Sequence, residues 1–275
     1  MKTRTSAEQG ITYLYHYENF DDPTQLARIL TENTIYCSNP NDFNDPWDCK
    51  PHFRKPDASD PAQYERLVRW FAMIDRKYNR SLSEAEHTRR EREARTNRAL
   101  VDWMIDQFNK EIVPAILAQY RVYCVSARPD IPLMWSHYAR SHKGYCLEFA
   151  VKNELFCGAL PVEYLDHYPE LNVSDSTEDD ALRVLLTKSK DWSYENEFRL
   201  IAAAPGYSYA HVPATKDNFA ALPTGALESI IFGCLMPEPD RNRIRTLVKS
   251  PGSSATLKMA HRIPDRYALE IRAVP

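Results

Sequence analysis

The stretch Lys190-Asp-Trp-Ser-Tyr-Glu-Asn-Glu-Phe-Arg-Leu-Ile-Ala202 joins two closely spaced acids to an apolar run. The apolar run predicts a buried β-strand. Because residues i and i+2 of a strand point to the same face, we expect Glu195 and Glu197 to stand side by side, with Arg199 one step further on. Like charges repel, so folding has no need of this pair, whereas a pocket that binds a cation or opposes a developing positive charge would use it. The alternative is an exposed strand edge on which Arg199 neutralises one acid.

The bulk composition is that of an ordinary globular protein. The 275 residues are 43% hydrophobic and 27% charged, which is enough for a substantial core. A net charge of −3 gives no general attraction for nucleic acid. The sequence has no apolar run of membrane-spanning length, a polar start, and six scattered cysteines that we interpret as reduced. These features predict a cytoplasmic protein with no membrane contact, and the scattered cysteines make a zinc site improbable.

The order of the periodic segments predicts an α+β protein with a mostly antiparallel sheet. We treat residues 1–275 as a single domain and residues 60–118 as a helical insertion. The strand-like segments are 11–17, 34–38, 120–126, 144–151, 160–165, 198–203, 227–232, 256–261 and 266–272. Outside the insertion, the helix-like segments follow Pro23 and cover 131–142, 178–190 and 238–249.

Three further groups of residues could carry chemistry. His16 lies in the aromatic strand Leu14-Tyr-His-Tyr17, and Tyr36 precedes a loop rich in Asn and Asp. The segment 133–149 places His137 and Tyr138 on a short helix. The ordinary interpretation of each group is packing or local capping, and no Ser/His/Asp or Cys/His triad is evident from the spacing. The seven glycines form no Gly-x-Gly-x-x-Gly or Walker loop, so the glycine-rich phosphate-binding loops are absent.

Four motifs, taken in order, resemble those of a widespread bacterial domain-of-unknown-function family, number 2971. They are His16 in its aromatic strand, the loop Ser38-Asn-Pro-Asn-Asp-Phe-Asn-Asp-Pro46, Met134-Trp-Ser-His-Tyr138, and Lys190-Asp-Trp-Ser-Tyr-Glu-Asn-Glu-Phe-Arg199. The resemblance covers most of the chain outside the helical insertion, and that family brings no assigned activity.

A looser resemblance is to ADP-ribosyltransferases of the His-Tyr-Glu type, which implies NAD as substrate and a split sheet. It implies that His16 bonds the NAD ribose and that Tyr36, with Ser38 nearby, stacks on nicotinamide. The Glu-x-Glu form implies that Glu197 stabilises the ribose cation while Glu195 touches the acceptor. The further residues expected around NAD are Tyr17, Asn44, Asp45, Trp135, His137, Tyr138, Trp192 and Arg199. Three departures are the short segment between His16 and Tyr36, the lack of a Ser-Thr-Ser motif, and a histidine where arginine-type toxins have arginine.

The leading hypothesis is therefore an NAD-dependent ADP-ribosyltransferase or NAD glycohydrolase, and the resemblance implies a toxin or defence role. The acceptor (nucleic acid, nucleotide or protein) stays open, and no metal is expected. One alternative is a non-catalytic ligand-sensing or interaction module. Another is a metal-dependent nuclease or phosphodiesterase using Asp45, His137, Glu195 and Glu197. The insertion could form a homodimer, a regulatory contact or, through Arg89, Arg90, Arg92, Arg95 and Arg98, a nucleic-acid contact.

Overall fold

An eight-stranded sheet organises the chain in the computed structural model, which describes residues 3–50, 52–57, 59–167, 170–171, 178–250 and 254–274. The strands are β1 Tyr13–Glu18, β2 Thr34–Tyr36, β3 His52–Phe53, β4 Tyr120–Ser126, β5 Tyr145–Ala150, β6 Leu160–Pro161, β7 Glu163–Leu165, β8 Glu170–Leu171, β9 Thr187–Ser189, β10 Glu197–Ala203, β11 Phe219–Ala221, β12 Leu227–Phe232, β13 Thr256–Arg262 and β14 Leu269–Ala273.

The helices are α1 Pro23–Glu32, α2 Pro61–Tyr78, α3 Glu84–Thr96, α4 Arg98–Gln107, α5 Val113–Leu117, α6 Pro132–His137, α7 Glu178–Leu185 and α8 Glu238–Val248. A π-helical turn covers Phe108–Ile112, and 3-10 turns cover Pro40–Asp42, Phe156–Gly158 and Lys190–Glu195.

The order across the sheet is β14-β13-β12-β5-β1-β4-β10-β6. Neighbouring strands are antiparallel, except for β12 and β13, which are parallel and are connected through α8. A tight turn joins antiparallel strands, so two parallel strands need a longer crossover connection such as α8. The predicted α+β class with a mostly antiparallel sheet is confirmed.

The sheet opens between its two central strands. Six positions pair β1 with β5, whereas β1 and β4 pair only at Tyr15 and Ser126. Backbone groups of β1 and β4 beyond that position need other hydrogen-bond partners. The opening creates space for side chains and cavities in the middle of the sheet.

The two faces of the sheet are covered differently. One face carries a single apolar cluster that includes Leu14, Tyr123 and Phe149. The other face carries two clusters: one around Tyr17 and Trp135, and one that joins β4 and β10 to the helices. Polar side chains lie between these two clusters, and the candidate site is there.

Helices α2 to α5 occupy the segment predicted as an insertion. Asp60 caps α2, and Ser83 forms a capping box with Glu86 at the start of α3. Apolar side chains of α2, α4 and α5 pack against Val122 of β4 and Ile201 of β10. Several arginines of α3 are paired with acids, as in Arg90 with Asp75 at 2.6 Å and Arg95 with Glu91 at 2.7 Å. This pairing weakens the idea of a basic nucleic-acid surface here.

Several element boundaries differ from the predictions: the strand predicted over 266–272 begins at Leu269, and the one predicted over 160–165 is the two strands β6 and β7. The predicted helix 178–190 ends at Leu185, and the chain then forms β9. Glu195 ends a 3-10 turn rather than lying in the strand, because Asn196 adopts a left-handed conformation (φ 45°) before β10 begins. The helix predicted over 131–142 stops at His137.

All six cysteines are free thiols. Among the described residues, no helix is both long and apolar enough to cross a membrane.

Candidate functional site

A cavity of about 340 Å³, here called the first cavity, lies at the opening between β1 and β4. Residues far apart in sequence form its wall. Those predicted as site residues are His16, Tyr17, Tyr36, Ser38, Asn44, Tyr138, Glu195 and Glu197. His16, Tyr36 and the two glutamates, which the resemblance assigned to NAD, therefore line one cavity.

Lys188 lies at the centre of the acidic wall. Its ammonium is 2.6 Å from Glu195 Oε2, 3.3 Å from Glu197 Oε2 and 3.4 Å from Asp48 Oδ2. All four side chains are at most 7% exposed. A buried carboxylate is tolerated only with such partners, so Lys188 makes the paired acids compatible with folding.

Arg199 also pairs with the carboxylates of this wall, from its buried side. Its Nε lies 2.8 Å from Glu197 Oε1, and its Nη2 lies 2.7 Å from Asp48 Oδ2. The remaining Nη1 donates to the Leu185 carbonyl at 2.8 Å and contacts Cys49 Sγ at 3.0 Å. The guanidinium is fully buried, so Arg199 holds the carboxylates. Contrary to the prediction that it lies around NAD, it has no surface exposed to a ligand.

We call Asp48, Lys188, Glu195, Glu197 and Arg199 the ion cluster. It holds three carboxyl groups and two cations, so one negative charge is in excess when every group is ionised. In a buried setting of low dielectric, such an excess acts strongly on whatever occupies the cavity.

The surroundings shift the pKa values of the two glutamates in opposite directions. Burial opposes the ionised form of Glu197, but Arg199 and Lys188 outweigh burial and bring its pKa down to about 2. For Glu195, burial is the larger effect and the charge of Glu197 adds to it, so its pKa is raised despite Lys188. Glu197 is thus ionised at neutral pH, whereas Glu195 is the better proton acceptor.

Local structure fixes Glu195 although it lies outside the strand. Its carboxylate accepts a hydrogen bond of 2.7 Å from the Tyr138 hydroxyl, which stands at the end of α6. Its carbonyl accepts one of 2.6 Å from the Ser126 hydroxyl. The left-handed Asn196 turns the chain so that both acids still reach Lys188.

His16 lines the first cavity but belongs to the other face of the sheet. Alternation along β1 puts it with Leu14, while Tyr15 lies in the cross-strand row with Ser126 and Glu197. The ring stacks on Tyr123 at 4.3 Å between centroids, and Nδ1 lies 2.8 Å from the Cys124 carbonyl. That contact requires the Nδ1-protonated form in neutral imidazole. His16 thereby satisfies a carbonyl at the opening of the sheet.

Tyr36 and Ser38 form the outer wall. Tyr36 is 49% exposed and packs edge-on against Phe219. Ser38 makes an isolated β-bridge with Val122 of β4. An exposed aromatic face fixed beside a cavity can stack on a flat ligand.

Two predicted contacts are limited by burial. Trp135 is completely buried and donates its ring N–H to the Pro129 carbonyl, so it packs the core and does not contact a ligand. Tyr17 lines the cavity, but it is 5% exposed, packs edge-on against Trp135 and donates its hydroxyl to the Arg128 carbonyl.

Asp45 and Trp192 line a neighbouring cavity of about 530 Å³, the second cavity, which shares Asn44 and Lys188 with the first. The Lys188 ammonium lies 5.0 Å from the centre of the Trp192 ring. His137 is exposed and contacts the rings of Trp192 and Tyr194, each at 6.3 Å between centroids.

Asp48 and Lys188 were not among the predicted site residues. Lys188 was hidden by the helix expected to continue to residue 190. The usable signal was electrostatic: two glutamates two residues apart require a nearby cation. Lys190, the lysine of the opening motif, instead pairs with Asp166 at 3.0 Å.

Within the described part of the chain, no group of three or more His, Cys, Asp or Glu side chains is arranged to hold a metal ion. The four residues of the metal alternative are divided: the two glutamates line the first cavity, Asp45 lines the second, and His137 lines neither. Comparison with protein-family models, with curated proteins and with solved structures gave no match.

Proposed function

We propose that the protein consumes NAD, either transferring ADP-ribose to an acceptor or hydrolysing NAD, in the manner of ADP-ribosyltransferases. The observation that carries the proposal is the pair of glutamates, one kept ionised and one inclined to take a proton, on the wall of a cavity shared with His16 and Tyr36. Two carboxyl groups whose pKa values are pushed apart are typical of paired electrostatic and acid–base roles.

The proposed reaction breaks the bond between the ribose C1′ and the nicotinamide nitrogen. The electron pair leaves with nicotinamide, and positive charge develops on the ribose. The ionised Glu197, held by Arg199 and Lys188, opposes that charge without having to reorganise. Glu195 takes the proton of the water or acceptor group that attacks C1′. The products are nicotinamide and ADP-ribose, or nicotinamide and the modified acceptor.

The opening of the sheet suits a two-part ligand. His16, Tyr36 and Ser38 also line a further cavity of about 510 Å³, which we call the third cavity. It includes Tyr123, whose buried hydroxyl lacks a hydrogen-bond partner among the described residues. In our proposal nicotinamide lies in the first cavity against Tyr36, and the rest of NAD extends past His16. The His16 Nε2 lies 3.5 Å from Glu18 Oε2, and in the neutral ring it accepts from a ribose hydroxyl.

A second candidate is a non-catalytic ligand-binding module. The observation that favours it is that both oxygens of Glu197 already have cationic partners in Arg199 and Lys188. In this second candidate the Glu197 carboxylate stabilises the wall of the cavity and has no catalytic role. Ligand binding would then depend on Tyr36 and the cavity shape.

The deciding experiment measures nicotinamide release from NAD by the purified protein and by Glu197→Gln. We expect the substitution to lower kcat by about 10²- to 10³-fold, because it removes the charge that stabilises the ribose cation. Glu148→Gln is the matched control, since Glu148 is an equally buried carboxylate outside the first cavity. Unchanged release in Glu197→Gln would move the chemistry elsewhere.

A second variant guards against loss of folding in Glu197→Gln. Tyr36 is half-exposed, so Tyr36→Ala leaves the core intact and is expected to raise KM for NAD by about 10-fold through lost stacking. NAD binding without any nicotinamide release, for several acceptors, would support the module instead.

A further inference from the structure

The second cavity has features that the NAD proposal does not use. Trp47 and Trp192 both line it, and Trp47 is 67% exposed. The cavity volume of about 530 Å³ is within the range of small-molecule sites and exceeds the need of a single amino-acid side chain.

The exposure of Trp47 is built into a fixed loop. Asp45 and Asp48 on either side are 5% and 3% exposed, and Asp45 Oδ1 accepts from the Trp47 backbone N–H at 2.9 Å. Asp48 is held in the ion cluster by Arg199. The loop is tied to its surroundings again by Lys50 Nζ, which donates to the Pro40 carbonyl at 2.9 Å. The indole is therefore presented by an anchored segment.

The chemistry of the wall favours a flat, neutral ring with both donor and acceptor edges. The indoles of Trp47 and Trp192 both line the cavity, and stacking on an indole works for any nucleobase. Asn44 offers an amide with donor and acceptor atoms, and the exposed Asp191 offers acceptors for ring N–H and amino groups. Three aspartates of the wall, Asp45, Asp166 and Asp191, face two lysines, Lys50 and Lys188, so a phosphate group gains no net attraction there and the wall suits a base or nucleoside better than a phosphate backbone.

The two cavities meet at Asn44 and Lys188, and Lys188 also holds Glu195. A group bound against Lys188 in the second cavity is thus one side chain away from Glu195, the carboxylate assigned to take the acceptor proton. We infer that the second cavity binds the nucleobase of the acceptor. Its role as acceptor site rests on the proposed function, whereas the binding itself does not. In the transfer, an acceptor N–H or O–H attacks the ribose C1′, its proton goes to Glu195, and nicotinamide leaves with the electron pair.

Calorimetric titration of the purified protein with adenosine, guanosine, cytidine and thymidine, in the absence of NAD, tests the inference. We expect at least one nucleoside to bind and Trp47→Ala to weaken that binding by about 10-fold or more. Trp103→Ala is the matched control, because Trp103 is 57% exposed and lies on α4, away from the cavity wall. Its affinity should equal that of the unaltered protein.

Three outcomes would overturn the inference: no nucleoside binds at millimolar concentration, Trp47→Ala binds as tightly as the unaltered protein, or binding is lost in Tyr36→Ala but kept in Trp47→Ala. The last result would place the nucleoside in the first cavity. Because the titration contains no NAD, its failure leaves nicotinamide release untouched, and a failure of nicotinamide release leaves the titration result standing.

Discussion

Two buried carboxylate sites lie on the same face of the sheet and are held in different ways. Glu148 of β5 pairs across the sheet with Tyr15 and Ser229, and both hydroxyls donate to its carboxylate. Lys258 completes the set. One acid thus meets one cation and two neutral donors.

The ion cluster shows the opposite balance. Three acids share two cations, and the cluster borders a cavity instead of closed packing. The row Glu148, Tyr15, Ser126 and Glu197 connects the two places across neighbouring strands. The comparison teaches that burial of a carboxylate does not distinguish the two places; the unbalanced charge and the adjoining cavity do.

The largest expected effect separates the two places by stability. Arg199→Leu leaves Glu197 and Asp48 buried with too few partners, and we expect the free energy of unfolding to fall by about 3–5 kcal/mol. Lys258→Ala leaves Glu148 with two hydroxyl donors and should cost about 1–2 kcal/mol. Urea denaturation measures both. Equal losses would mean that the cluster is no more dependent on its cations than Glu148 is.

The next effect is a dependence of stability on pH. The pKa of Glu197 is about 2 in the folded protein and 4.5 without partners, so its contribution is present above pH 4.5 and is lost as pH falls toward 2. We expect this group to account for about 3 kcal/mol of acid destabilisation. Urea denaturation at decreasing pH should show a smaller loss of the free energy of unfolding for Glu197→Gln than for the unaltered protein. Parallel curves would show that Glu197 is not held by the cations.

The smallest effect concerns a single hydroxyl at each place. Tyr138 donates to Glu195 and favours its ionised form, so Tyr138→Phe should raise the pKa of Glu195 further. If Glu195 accepts the proton, the acidic limb of the pH profile for nicotinamide release moves to higher pH. Tyr15→Phe, which removes a donor from Glu148, should leave that limb in place. An identical shift in both variants would argue against a direct role of Glu195.

Local pattern was sufficient for much of the architecture. The apolar runs predicted the sheet strands, and the segment 60–118 was correctly predicted as helical. Boundaries were less accurate where polar residues decide them: the left-handed Asn196 and the strand at Thr187–Ser189 carry no strong periodic signal.

The residues of the candidate site were predicted only in part, because local pattern identifies strands and loops but not which side chains face a cavity. Residues on predicted strands and loops, such as Tyr36 and Glu197, do line one cavity. Trp135 was expected to touch a ligand, but an aromatic on a short helix gives no sign of whether it faces a core or a cavity. Burial of that kind depends on packing between distant segments.

By itself, the sequence determined the α+β class and the presence of two acids beside Arg199, because periodicity and composition are local properties. Only the tertiary structure decided which cations meet those acids, where the sheet opens, and that His16 lies on the face opposite Glu197. These features depend on strand order and register, which bring residues more than a hundred positions apart within hydrogen-bonding distance. Such long-range pairing is set by the packing of the whole chain and is not encoded in any one segment.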